Sequence, residues 1–175
     1  MKSIRLNRGT ISKEAITQMA TDTLRAGGWV EPHPAESQGG DADLGIGAVM
    51  KDGTIFAGVS PDTGKPMYAM PADVPWALPF DHAAEYAKEM GYRKAYGHDD
   101  WRLPTKGELN VLFNNRAAIG GFNISGSSPS GWYWSASPSN TLDAWCQRLS
   151  DGAQGNLHKN CHLSVRCVRS HPLKT

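Results

Sequence analysis

Apolar residues first return at helical spacing between Ser12 and Ala26, where Ile11, Ala15, Ile16, Met19, Ala20, Thr23 and Leu24 fall along one side of the helical period. Ser12 is placed to cap this helix and Gly27-Gly28 to stop it. Two uses fit such a stripe: packing on the core of its own domain, or a seam for self-association or docking onto a larger particle. Pro32, Pro34, Gly39 and Gly40, set among polar residues, then mark a linker. From Gly45 the pattern shortens. Ile46–Met50 and Thr54–Val59 flank Asp52-Gly53, which predicts a β-hairpin. Ser60–Lys65 is a turn and Met67–Met70 a further strand.

Helical spacing comes back twice more. Phe80–Met90 carries Ala83, Ala84, Tyr86, Ala87 and Met90 on one face, with Asp81 as cap and Gly91 as stop. Thr105–Asn115 opens on Thr105-Lys106-Gly107-Glu108, the pattern of a capping box, and turns Leu109, Leu112 and Phe113 inward. Beyond Arg116 the helical signal ends. Gly120-Gly121 and Ser125–Gly131 read as loop, and Trp132–Ser137, Ala144–Ser150 and Val165–Arg169 as strands. Gly155-Asn156-Leu157-His158 has no periodicity and reads as a loop freed from packing demands. The sum is an α+β domain, two helices packed on short, mostly antiparallel strands with many loops. It occupies residues 45–175, after a helical segment (1–28) and a linker (29–44).

Composition narrows the function classes. A chain of 175 residues with 39% hydrophobic and 20% charged residues is an ordinary globular domain. The formal charge of +1 gives no field that would draw nucleic acid. No apolar run is long enough for membrane insertion, and the start Met1–Arg8 lacks the apolar stretch of a secretory signal. Synthesis in the cytoplasm is expected, with display on a virion or cell surface. The three cysteines, Cys146, Cys161 and Cys167, cannot all pair, so reduced thiols are the default, with a Cys146–Cys161 pair as the alternative.

Candidate chemistry is sparse. Trp101, Leu103, Trp134 and Trp145 are expected to anchor the core, and Arg102 to pair with Asp99 or Asp100. His158, Cys161 and His162 have zinc-type side chains, but the fourth ligand is wanting unless Cys146 supplies it. Asp99-Asp100 could offer oxygens to calcium, yet Glu31-Pro32 is followed by His33, which breaks a Glu-Pro-Asn sugar motif. Neither a nucleophile elbow nor a protease-type His–Glu pair is present, and Gly45-Ile46-Gly47 lacks the rest of a dinucleotide fingerprint. No metal, cofactor or catalytic residue is therefore expected.

Two separated motifs carry a resemblance. His98-Asp99-Asp100-Trp101-Arg102-Leu103-Pro104-Thr105 with Glu108-Leu109 is the first. Tyr133-Trp134-Ser135, Ala144-Trp145, Ser150-Asp151-Gly152 and Val165-Arg166-Cys167-Val168-Arg169 form the second. In order and spacing the stretch from about Gly45 to Arg169 resembles the C-terminal domain family of collagen-like adhesins. The resemblance implies a C-type-lectin-like fold and similarity to the variable proteins of diversity-generating retroelements, which include a phage tropism determinant. In such proteins adenines are mutated in one C-terminal stretch of the gene, often in AAC codons. Changes at those two adenines never yield Lys, Glu, Gln, Met or Trp.

On that resemblance the variable, ligand-binding region spans about 137–164. Its candidate positions are Ser139, Asn140, Leu142, Cys146, Ala153, Gly155, Asn156, Leu157, His158, Asn160, Cys161, His162 and Ser164, none of a forbidden type. The interspersed Trp145, Gln147, Gln154 and Lys159 are of forbidden types and would be framework. The expected function is recognition of a protein or glycan ligand on a cell surface by a diversified face. Homo-oligomerisation, as a trimer if at all, would add avidity. An invariant adhesive or structural assembly module of the same fold is the second expectation. A formylglycine-generating-type enzyme is the third, and there Cys161 and Cys167 stand in a different local context.

Overall fold

The computed structural model describes residues 12–26, 45–125 and 131–170. The linker expected at 29–44, the Gly27-Gly28 stop and most of the loop expected at 125–131 lie outside the described residues. Helix α1 (Lys13–Ala26) comes first, followed by β1 (Ile55–Val59), β2 (Pro66–Ala69), α2 (Phe80–Tyr92) and a 3-10 turn at Ala95–Gly97. Then come α3 (Lys106–Asn114), α4 (Arg116–Ile119), β3 (Trp132–Pro138), β4 (Asp143–Arg148), β5 (Gln154–His158) and β6 (Val168–Arg169). The strands form two three-stranded antiparallel sheets, ordered β1-β2-β6 and β3-β4-β5. The α+β class follows, with the last strand closing the first sheet.

Alternation along β3 explains how one sheet serves two cores. Trp134 points into a cluster with Tyr86, Met90, Trp101, Leu103, Leu163 and Cys167. Its neighbour Tyr133 points the other way, among Ile55, Met67, Leu109, Leu112, Leu149 and Val168. Period-two side chains place α2 behind one face and α3 behind the other. Trp134 also donates its indole N–H to the Leu78 carbonyl at 2.8 Å, so the largest buried side chain leaves no polar atom unpaired. Residues 70–78 are laced to 163–167 through Met70 N–H to Cys167 O (3.1 Å), Val74 N–H to Val165 O (2.9 Å) and Leu78 N–H to Leu163 O (2.9 Å).

Helix α1 begins as read: Ser12 Oγ accepts the Ala15 N–H at 3.2 Å. Of the two uses open to its stripe, core packing is seen for Ile16, which is 4% exposed in the α2 cluster with Met19 against it. Burying one such side chain contributes roughly 2 kcal/mol. The side chains of Ala20, Thr23 and Leu24 lie outside the described residues.

Several expectations need correction. Residues 46–50 are not a full strand: the expected turn at Asp52-Gly53 is present, with Met50 N–H to Thr54 O at 2.7 Å and Gly47 N–H to Phe56 O at 2.8 Å, but Val49 and Ile55 make only an isolated bridge and β1 has its ladder with β2. Gly47 sits at φ 89°, and a Cβ there would come within 2.4 Å of the Ala118 carbonyl oxygen, so the segment bends beneath α4. Gly91 does not stop α2, which runs on to Tyr92. Its hydrogen instead lets the Asp99 carbonyl approach, where a Cβ would meet oxygen at 2.6 Å. Pro79, not Asp81, is the N-cap of α2. The segment read as an aperiodic loop is the edge strand β5, paired with β4 from Asp143↔His158 to Gln147↔Gln154. No β-branched residue marks it, and the backbone of β4 supplies the order.

The capping box on α3 is present in full: Thr105 Oγ1 accepts the Glu108 N–H at 3.1 Å, and Glu108 Oε2 accepts the Thr105 N–H at 2.9 Å. The same carboxylate takes both guanidinium ends of Arg102, at 2.5 and 2.7 Å, and the Ser60 hydroxyl at 2.6 Å. Arg102 thus pairs with Glu108 rather than with Asp99 or Asp100, because the cap has already buried that charge. Trp101 (4% exposed) and Leu103 lie in the core as expected.

Candidate functional site

The candidate site is built on β4, β5 and the turn after them. From Gln154 to His162 exposure alternates residue by residue: Gln154, Asn156, His158, Asn160 and His162 are exposed, and Gly155, Leu157, Lys159 and Cys161 are half-buried. Residues opposite one another share a face. The register Trp145↔Asn156 and Asp143↔His158 therefore sets Asn156 and His158 beside Trp145, while Cys146↔Gly155 and Ala144↔Leu157 belong to the opposite face.

On the first face Lys106 of α3 lies over the Trp145 ring, 3.4 Å from its centroid. Asn156 donates to Ser139 Oγ at 2.9 Å, which ties the β3–β4 turn to β5. Trp145 is half-buried here, not packed into the core as expected: it lies on the face of β4 opposite the core residues Ala144 and Cys146, with the Lys106 ammonium over its ring. Gln147, one strand period along, is buried, and its amide donates to Asn110 (3.2 Å) and to the Gly152 carbonyl (3.1 Å).

The thirteen candidate positions named from the sequence separate by environment. Asn140, Leu142 (61% exposed), Asn156, His158, Asn160 and His162 reach solvent. Asn140 also shapes its turn, its Oδ1 accepting the Leu142 and Asp143 N–H groups at 2.7 and 2.8 Å. Ser139, Ala153, Gly155, Leu157, Cys161 and Ser164 are half-buried, and Leu157 and Cys161 pack against the α2 cluster. Cys146 is a correction: it is 2% exposed, inside that cluster, because it points to the face of β4 opposite Trp145. Its thiol is pushed up to about 12 by burial, with nearby Cys161 adding to the effect. Cys167 is likewise pushed up to about 12 by burial. All three cysteines are free.

The polar framework around these positions is well bonded. Lys159 donates from Nζ to the Thr141 carbonyl at 2.9 Å, and its own carbonyl accepts the Phe80 N–H at 2.9 Å. Arg148 and Asp151 pair at 2.5 Å across the Asp-Gly turn, which holds the Asp151 carboxyl down to about 2. Gly152 at φ 82° passes so close to Phe113 that a Cβ would lie 2.5 Å from its ring. Further in, Arg166 is enclosed, donating to Asp73 (2.7 Å), the Met70 carbonyl (2.8 Å) and the Gly121 carbonyl (2.5 Å). Apart from Arg166, which stands in the second motif, nothing in the sequence points to this cluster, since Asp73 lies 93 positions away.

These features define an α+β domain in which a bonded framework supports an exposed edge strand and turn. The model of the Lcl C-terminal domain family matches residues 51–169, and the chain belongs to that family. No curated protein matches the chain. No helix among the described residues is long and apolar enough to cross a membrane.

Proposed function

We propose that the chain is an adhesin- or tropism-type recognition module on a C-type-lectin-like scaffold, and that it acts without catalysis. Its binding face is the exposed edge of β5 with the turns that flank it: Leu142, Asn156, His158, Asn160 and His162, with Trp145 and Lys106 alongside. The observation that carries this is the alternation of exposure from Gln154 to His162 over a framework whose own polar groups are bonded. Side chains at the exposed positions are free to change without altering the core, as a diversified surface requires. The partner is a protein or glycan on a cell surface, engaged with avidity if the chain oligomerises through its N-terminal segment. Diversification by a retroelement is the finer part of the proposal.

One experiment tests recognition itself. The native chain and a variant with Leu142, Asn156, His158, Asn160 and His162 all changed to alanine are screened against arrayed glycans and cell-envelope proteins. Binding by the native chain alone supports the proposal, and equal binding by both sinks it. Diversification is settled separately at the DNA level, by a nearby reverse transcriptase and a template copy of the gene's 3′ end differing only at adenines. If recognition holds and neither is encoded, the invariant adhesive module is the right form.

A further inference from the structure

Away from the β5 face, the segments 73–77 and 121–123 and the residue Ser164 enclose an open cavity of about 440 Å³. That volume is within the range of small-ligand sites. Its walls combine Trp76, 40% exposed, with three polar side chains, Asp73, Asn123 and Ser164.

Asp73 is fixed before any ligand arrives. Its Oδ1 accepts Arg166 Nε at 2.7 Å, and its Oδ2 accepts the Tyr133 hydroxyl and the Asn123 N–H at 3.1 Å. A carboxylate offers about four acceptor positions. Three protein donors leave one, and the side chain is still 17% exposed. Asn123 Oδ1 accepts the Ser125 N–H at 3.0 Å, and its NH2 group is the donor it brings to a ligand. A donor beside an acceptor is the pairing a hydroxyl satisfies, since a hydroxyl gives one hydrogen bond and takes another. Gly121, at φ 70°, keeps this wall close: a Cβ would sit 2.9 Å from the Pro71 carbonyl oxygen and 3.1 Å from Arg166 Nη2.

Charge decides between ligand classes. A carboxylate near an exposed Trp would suit a cation, but the enclosed Arg166 guanidinium at 2.7 Å already balances Asp73. An anion would meet the carboxylate. A purely apolar ligand would offer no partner to the Asn123 amide or the Ser164 hydroxyl. We infer that this cavity is a binding site for a neutral polyhydroxylated ring, a saccharide, whose C–H face lies on Trp76 and whose hydroxyls engage Asp73, Asn123 and Ser164. The site uses none of the side chains assigned to the β5 face and does not depend on that face binding anything.

The test is an NMR titration of the isotope-labelled full chain with methyl α-mannoside, methyl β-galactoside, methyl β-glucoside and N-acetylglucosamine, and with glycine betaine, a zwitterion whose quaternary ammonium group tests for cation recognition, as a control. The expected result is saturable shifts of the Trp76 indole and Asn123 amide signals with at least one sugar and none with betaine. Trp76→Ala, a change at a surface position, weakens that sugar about tenfold, and Asn123→Ala weakens it in the same direction. A variant with Asn156 and His158 changed to alanine binds it unchanged. Shifts with betaine alone, no shift with any sugar, or loss of sugar binding in the Asn156/His158 variant but not in Trp76→Ala would each overturn the inference. The last outcome would leave recognition by the β5 face standing.

Discussion

Glu108 is fully buried, and both of its oxygens accept from the guanidinium of Arg102, at 2.5 and 2.7 Å. One carboxylate thus closes a helix cap, binds the Ser60 hydroxyl and anchors the chain just before α3. Arg102 is 35% exposed, so without Glu108 its guanidinium is partly solvated, and what is lost is the set of charge-assisted hydrogen bonds and the helix cap, about 2–3 kcal/mol in all. Glu108→Ala should lower unfolding stability by about that amount at neutral pH, read from urea denaturation. A loss under about 1 kcal/mol would show that the pair is surface-like in strength.

The same residue predicts an acid limit. Burial would raise the Glu108 carboxyl, but hydrogen bonds from Arg102, Ser60 and the Thr105 backbone overcome it and hold the group below its ordinary 4.5. Asp52 is held below its ordinary 3.8 in the same way, with burial outweighed by His98 and Thr54 and by the charge of Arg169. Carboxyls that bind protons less tightly folded than unfolded stabilise the fold fully above the unfolded values. That contribution is lost as pH falls through the folded ones. Stability should therefore decline below pH 4.5, and Glu108→Gln should flatten the decline. An unchanged slope in the variant would assign the acid loss elsewhere.

Tolerance to substitution should follow the alternation of β5 and not the span of the C-terminal region. Asn156→Asp, His158→Asn and His162→Asn are expected to change stability by no more than about 0.5 kcal/mol. Cys146→Asn should cost about 1–3 kcal/mol, because it puts an amide into an apolar cluster. Thermal melts of the four variants check this, and equal losses at all four positions would contradict the assigned faces.

The cysteines should separate by access. Cys161 is half-buried, whereas Cys146 and Cys167 are in the core with thiols pushed up to about 12. Alkylation of the native protein followed by mass spectrometry should label Cys161 first, with the other two reacting only on unfolding. Equal native rates for all three would be incompatible with the core described.

Gly91 offers a test where local propensity and packing disagree. An alanine inside a helix normally gains up to about 1 kcal/mol over glycine. Here its Cβ would be 2.6 Å from the Asp99 carbonyl oxygen, which is backbone and cannot swing aside. Gly91→Ala should destabilise the protein in chemical denaturation, and a stabilised variant would refute the close approach.

Much of this architecture was legible in the sequence because it rests on local rules. The capping box at Thr105–Glu108, the Asp151-Gly152 turn and the apolar faces of α2 and α3 depend on neighbours within a few positions. The observed elements fall where those rules put them. Edge strand β5 was missed for the converse reason. Gln154–His158 has neither β-branched residues nor a clean apolar alternation, and its order is borrowed from β4. The division of 137–164 into candidate and framework positions rests on residue type and carries no strand register, so Cys146 falls among residues it does not face. The size of Trp145 points to the core, yet its ring meets the ammonium of Lys106 on α3.

By itself the sequence determined the class of fold, the helix that opens on Thr105 and the family to which residues 51–169 belong, and it bounded the C-terminal region from which the proposed recognition surface is drawn. Only the tertiary structure decided which side chains in that region face water, that Arg102 turns to Glu108, and that Asp73 meets Arg166 across the molecule. Local hydrogen bonding and periodicity act between near neighbours and can be read along a chain. The face a residue presents, and the distant partner that neutralises a buried charge, depend on strand register and on packing between segments far apart in sequence.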